Sequence, residues 1–201
     1  MVKVDLACGD RKKSEDYIGV DIAKTEAVDI IHDLNIFPWP FEDNSVDEVF
    51  CSHYIEHIPH KDAYSEIKSV LNKCTSFEEF KRAFLDKGPE KDGLIKFFDE
   101  LYRILKPGGK AELIAPYYTS VRSFGDPTHE RFISDWTPLY INKQWREQNK
   151  LSHYGIESNF DTNYYFHVDS EIALKSKEVQ EEAFKHNWNI VNDIVLKLIK
   201  V

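Results

Sequence analysis

Apolar and polar positions follow two rhythms along this chain. Short apolar runs come first: 2–6, 17–22 and 27–31 each have the length and β-branched content of a strand, and aspartates, Asp21 and Asp33, close the last two. The prolines of 36–41 exclude helix there, and Glu42, Asp43, Asn44 and Ser45 form a turn into a fourth strand over 46–51. From 54 to about 105 the spacing turns helical, through Ile55, Ile58, Tyr64, Ile67 and Val70 and then Leu94, Phe97, Phe98, Leu101 and Leu105. Within this helical region of about 60–100, residues 75–90 have the pattern of an inserted helical hairpin closed by Gly88 and Pro89. Lys106-Pro107-Gly108-Gly109 should end the helix, because proline cannot continue it and glycine accepts positive φ. A fifth strand over 111–115 follows, then an aromatic, polar loop over 117–138, a sixth strand near 164–168, a helix near 176–186 and an apolar last strand over 194–201. Strands alternating with helices predict an α/β fold with a mainly parallel sheet, whose ligands sit beyond the carboxyl ends of its strands.

Composition narrows the reading. A chain of 201 residues suits one domain, 1–201, and its 42% hydrophobic content excludes a disordered chain. No apolar run is long enough for a membrane span, and the first residues have neither the basic nor the apolar segment of a signal peptide, so a cytoplasmic location is expected. Cys8, Cys51 and Cys74 are too few and too scattered for a disulfide framework or a metal knuckle. A formal charge of −9 disfavours a general nucleic-acid binder, which needs clustered Lys and Arg. A small-molecule partner fits better; monomer and homodimer remain equally open.

The turn Asp5-Leu6-Ala7-Cys8-Gly9-Asp10, with Asp21 at the next strand end, is an arrangement for a nucleoside: small residues admit the ligand to the backbone, and a carboxylate accepts from ribose hydroxyls. A dinucleotide needs the full GxGxxG turn and a long helix to hold pyrophosphate, and neither is present. S-adenosylmethionine has no phosphate and carries a sulfonium and an ammonium that carboxylates and aromatic faces favour.

The ordered motifs of 2–115 resemble those of the class I S-adenosylmethionine-dependent methyltransferases. The likeness runs through Val4-Asp5-Leu6-Ala7-Cys8-Gly9, Gly19-Val20-Asp21, Asp33-Leu34, the segment from Pro40 to Val49 with His53-Tyr54-Ile55-Glu56-His57-Ile58, and Leu101 to Gly109. The resemblance implies a Rossmann-like, doubly wound, mostly parallel seven-stranded sheet with helices on both faces and an antiparallel last strand. It also implies cofactor contacts from Asp5, Ala7, Cys8 and Gly9 along the methionine part, Asp21 with Ile22 at the ribose, Asp33 and Leu34 at the adenine, and Ser52 and His53 beside the sulfonium. Ala7 stands where the family usually has glycine, and the first crossover helix is nearly absent.

His53-Tyr54-Ile55-Glu56-His57 also matches the inverted zinc-protease signature H-x-x-E-H, with Glu130 as third ligand and Glu56 as base. A zinc hydrolase is the less favoured alternative, since His53 falls at a strand-to-helix junction; no metal is expected, and a non-catalytic S-adenosylmethionine-binding protein is the other alternative. The loop over 117–138 follows the fifth strand, where methyltransferases of this fold meet the methyl acceptor. Transfer to oxygen or nitrogen of a small molecule needs in-line alignment and removal of a proton. His129 is the candidate base or orienting group, with Asp126 fixing its tautomer or binding the acceptor, Tyr117 or Tyr118 lining the pocket, and His57 as a further candidate.

Overall fold

The computed structural model describes residues 1–60, 74–85 and 91–201. Seven strands form one sheet: β1 (Lys3–Leu6), β2 (Ile18–Asp21), β3 (Ile30–Ile31), β4 (Val46–Ser52), β5 (Leu105–Pro116), β6 (Phe160–Val168) and β7 (Val191–Lys200). Their order is β3-β2-β1-β4-β5-β7-β6, with β7 antiparallel to both neighbours and the β3–β2–β1–β4–β5 pairs parallel. The carboxyl ends of β1, β2 and β4 therefore lie along one edge, as the alternation of elements required.

One face of the sheet makes the core. Val4, Leu6, Val49, Cys51, Leu113 and Leu196 are all buried on it by the strand register. Helix α2 (Gly93–Ile104), which follows α1 (Phe77–Leu85), brings Phe97, Phe98, Leu101 and Ile104 into the same cluster, the positions i, i+1, i+4 and i+7 of one helical stripe. Each such side chain contributes about 1.5–3 kcal/mol of burial. Trp39 stacks edge-on against Phe97 and hangs its indole N–H on the Leu34 carbonyl, so the proline-rich segment after β3 closes this core.

The opposite face lacks helices at its first two crossovers, 7–17 and 22–29. On this side lie Lys3, Asp5, Glu48, Phe50, Glu112 and Lys197. Glu112 pairs with Lys13 and Lys197, the Lys13 ammonium lies 4.4 Å from the Phe50 ring centroid, and the Tyr17 hydroxyl donates to Glu48. Charged stems and aromatic rings thus cover a surface that crossovers too short for a helix leave bare.

Other differences are local. Helix does not start at Tyr54: Ile55–His57 is a single 3₁₀ turn and Ile58 is extended, because Pro59 disfavours helical backbone in the residue before it. Residues 61–73 and 86–90 of the expected helical region and hairpin lie outside the described residues; α1 falls within the hairpin. Lys106-Pro107-Gly108-Gly109 is absorbed into β5, where Gly108 takes φ +75° and the register against β4 shifts between Val46 and Glu48. The 117–138 loop holds a short helix α3 (Arg122–Gly125) and the start of a 3₁₀ turn at Thr137–Ile141. Two further short helices, α4 (Lys143–Gln148) and α5 (Ser170–Ala173), carry no long periodicity; α6 (Lys177–His186) matches the expected helix. No described helix is long and apolar enough to cross a membrane.

Candidate functional site

The β1–β2 connection is held by carboxylates accepting backbone N–H groups. Asp5 takes the amide of Lys13 at 2.6 Å, and Asp29 takes that of Gly19 at 2.8 Å. Asp21, at the end of β2, accepts from Gly9 N at 3.0 Å with one oxygen and from Ala23 N at 2.9 Å with the other, which leaves each oxygen a lone pair for a further donor. The chain between is unusually turned: Ala7 has φ +55° and Gly9 φ +60°. Glycine adopts that conformation without cost, alanine does not. A Cβ built on Gly9 would meet nothing within 4 Å, so the turn is open on the side where the ligand is expected.

The remaining predicted cofactor residues are placed less uniformly. Cys8 is buried, and burial pushes its thiol up to about 11, so it is no nucleophile near neutral pH. Ile22 is exposed beside Asp21; Asp33 caps its own turn by accepting from the backbone and side-chain amides of Asn35. The Leu34 side chain belongs to the core, which leaves only its backbone for a ligand. Ser52 ends β4, and His53 follows with φ +54°.

Beyond β4 the second part of the site begins. A cavity of about 580 Å³ is lined by His53, Glu56, His57, Pro116, Arg122 and His129 together with Gly125, Asp126 and Pro127. Three segments are pinned to build it. The amides of Glu130 and Arg131 both donate to the Glu56 carbonyl, the buried Arg131 guanidinium donates to Ile58 O, Pro59 O and Asp92, and Asp92 also caps α2 through Leu94 N. Gly93 lets α2 come this close, since a Cβ there would sit 2.6 Å from Pro59 O.

Within the cavity, Glu56 is 1% exposed; its Oε1 takes His53 Nδ1 at 3.2 Å, and that contact raises the imidazole's pKa above its usual value. The Ser123 carbonyl lies 3.2 Å from His129 Nδ1 and can only accept, so Nδ1 carries the proton and Nε2 presents its lone pair. Asp126 was expected to fix that tautomer. Ser123 does so instead: Asp126 Oδ2 is 4.0 Å from His129 Nε2, and its Oδ1 accepts from the Thr128 amide and hydroxyl, which hold its carboxyl below the ordinary range. With its only proton on Asp126, the Thr128 hydroxyl must accept from His57 Nδ1 at 3.0 Å. Tyr117 is turned away from this cavity; its hydroxyl donates to Asp135 in a neighbouring recess shared with Tyr118. Glu130, the expected third zinc ligand, spends its carboxylate on His60 N, and His129 stands by Glu56 and His57 in its stead. Arg122 and Thr128 were not anticipated; their position in the loop after the fifth strand was the only available signal.

A family model for a methyltransferase domain matches residues 4–74, the segment that carries the turn and both strand-end aspartates. That segment is thus similar to a methyltransferase domain, on a sheet of the matching fold. A crystal structure of a SAM-dependent methyltransferase from Archaeoglobus fulgidus is similar to this chain with a TM-score of 0.56 and 17% identity, over 98% of this chain and 85% of that one. An S-adenosylmethionine-dependent methyltransferase from Mesorhizobium loti (12% identity, 99% and 90% coverage, TM-score 0.47) and Haemonchus contortus phosphoethanolamine N-methyltransferase 2 (16%, 98% and 48%, 0.45) are more remote. No curated protein matches. The open left-handed turn at Gly9 with the two part-satisfied oxygens of Asp21 fits S-adenosylmethionine.

Proposed function

We propose that this chain is an S-adenosylmethionine-dependent methyltransferase that transfers the methyl group to an oxygen or nitrogen of a small molecule bound in the cavity between β4 and the loop after β5. The single observation that carries the reading is His53: it ends the cofactor-side motifs at the tip of β4 and also lines the cavity, so the two parts of the site meet there. Ala7, Cys8 and Gly9 follow the methionine part with Asp5 bracing their turn, Asp21 and Ile22 take the ribose, Asp33 and Leu34 the adenine, and Ser52 and His53 flank the sulfonium. The cofactor supplies an electrophilic methyl on that sulfonium. The protein's task is to hold the acceptor in line and take its proton.

His129, whose Nε2 has the Asp126 carboxylate 4.0 Å away, receives the proton or orients the acceptor, and Asp126 and Arg122 offer an acceptor and a donor for its polar groups. Tyr117 and Tyr118 belong to the neighbouring recess and are left to shape its rim. The cavity's volume suits a small acceptor. The test is release of S-adenosylhomocysteine with a panel of hydroxylated and amino small molecules. Turnover with at least one, lost in His129→Ala, supports the reading; turnover with protein substrates alone would contradict it.

A further inference from the structure

Three groups that line the cavity have a property that methyl transfer by a base alone does not need. One ligand-capable atom from each of Glu56, His57 and His129 lies within 4.8 Å of the others. Oε2 of Glu56 is buried and has no hydrogen-bond partner among the described residues. An unpaired, buried carboxylate oxygen is costly unless something else satisfies it. Both imidazoles are held through Nδ1: His129 Nδ1 donates to Ser123 O and His57 Nδ1 to Thr128 Oγ1, so in each neutral ring Nε2 carries the lone pair, with Asp126 Oδ2 4.0 Å from that of His129. Outer partners on Nδ1 that fix a ring with Nε2 free are what metal-ligating histidines use. The rings meet edge to face at 4.6 Å.

We infer that Glu56, His57 and His129 form a binding site for a divalent transition cation such as zinc, open toward the cavity. Two imidazoles and one carboxylate leave positions for substrate, as in catalytic sites and unlike closed structural ones. The inference rests on the methyltransferase reading and narrows its acceptor to an oxygen nucleophile. A hydroxyl bound to the ion loses its proton to water, its oxygen takes the methyl carbon, and the electrons of the broken carbon–sulfur bond stay on sulfur. His129 is then an orienting ligand. This is not the H-x-x-E-H arrangement read from the sequence: His53 is a hydrogen-bond partner of Glu56, and the second imidazole comes from the loop after β5.

The experiment uses chelator-stripped, tag-free protein titrated with zinc chloride, and with cobalt chloride followed by visible absorption. One ion per chain is expected, with the cobalt spectrum of a site holding nitrogen ligands. Affinity should fall at least about 100-fold in the His57→Ala/His129→Ala double variant and about 10-fold in Thr128→Val, which keeps all three ligands and removes one outer partner. Circular dichroism checks folding, and Thr128→Val keeps the test decisive if the double variant does not fold. Equal zinc affinity in wild type and Thr128→Val, or in wild type and a folded double variant, would overturn the site. A parallel titration of the stripped protein with S-adenosylmethionine separates the two readings: zinc binding without cofactor binding would sink the methyltransferase assignment and leave the cation site standing, and the converse would do the reverse.

Discussion

The two parts of the site treat their polar groups in opposite ways. On the proposed cofactor side, Asp5, Asp21 and Asp29 each accept a backbone amide, and Thr25 Oγ1 donates to Gly9 O, so the turn is held before any ligand arrives. On the proposed acceptor side the backbone is equally pinned, through Glu56 O and Arg131, yet Glu56 Oε2 has no partner among the described residues. Backbone-satisfied carboxylates make a binding surface, whereas side chains held by one atom with another left free make a reactive one.

The sharpest way to break that contrast is to remove a group on the proposed acceptor side. His129→Ala should lower turnover about 10²–10⁴-fold while changing cofactor affinity less than about twofold, measured by steady-state kinetics beside calorimetry. Loss of cofactor affinity in that variant would mean that the two parts are one. Next in size, Gly9→Val puts a branched side chain into the open space of the turn and forces it to positive φ. We expect cofactor affinity to drop more than about 100-fold, with a stability loss of only about 1–2 kcal/mol in urea; unchanged affinity would show that the ligand does not pass there.

The smaller effects concern the proposed cofactor side alone. Ala7→Gly relieves a left-handed alanine at the expense of a freer unfolded chain, and should stabilise the protein by up to about 1 kcal/mol in urea. Asp5 gives a pH test. Burial raises its folded-state pKa above the unfolded value of 3.8, so the folded protein holds this proton more tightly and the carboxylate costs stability at neutral pH. That cost is relieved as pH falls through the raised value. Asp5→Asn, whose side-chain oxygen can still accept from Lys13 N, should therefore gain stability relative to wild type at about pH 7 compared with about pH 4. A constant difference between the two urea midpoints would contradict the assignment.

The contrast also explains what could be read beforehand. Short apolar runs bounded by turn residues located β1, β2, β4 and β7, and Asp21 stood at a strand end because local pattern alone places it there. β3 shrank to two residues and Lys106 to Gly109 joined β5, because sheet register overrode turn propensity. On the acceptor side local pattern failed. Glu130 and His129 are adjacent in sequence, and which of them faces Glu56 is decided by the amides of Glu130 and Arg131 converging on Glu56 O and by His60 claiming the Glu130 carboxylate. Such long-range pairing leaves no periodic trace.

The most direct test of the account is calorimetric titration of the wild-type protein and Asp21→Ala with S-adenosylmethionine and S-adenosylhomocysteine. Asp21 tethers Gly9, and in the proposed site its remaining lone pairs take the ribose, so the account predicts saturable binding of both ligands by the wild type and affinity weakened about 100-fold in the variant. Equal binding by a folded Asp21→Ala, or none by the wild type, would contradict it.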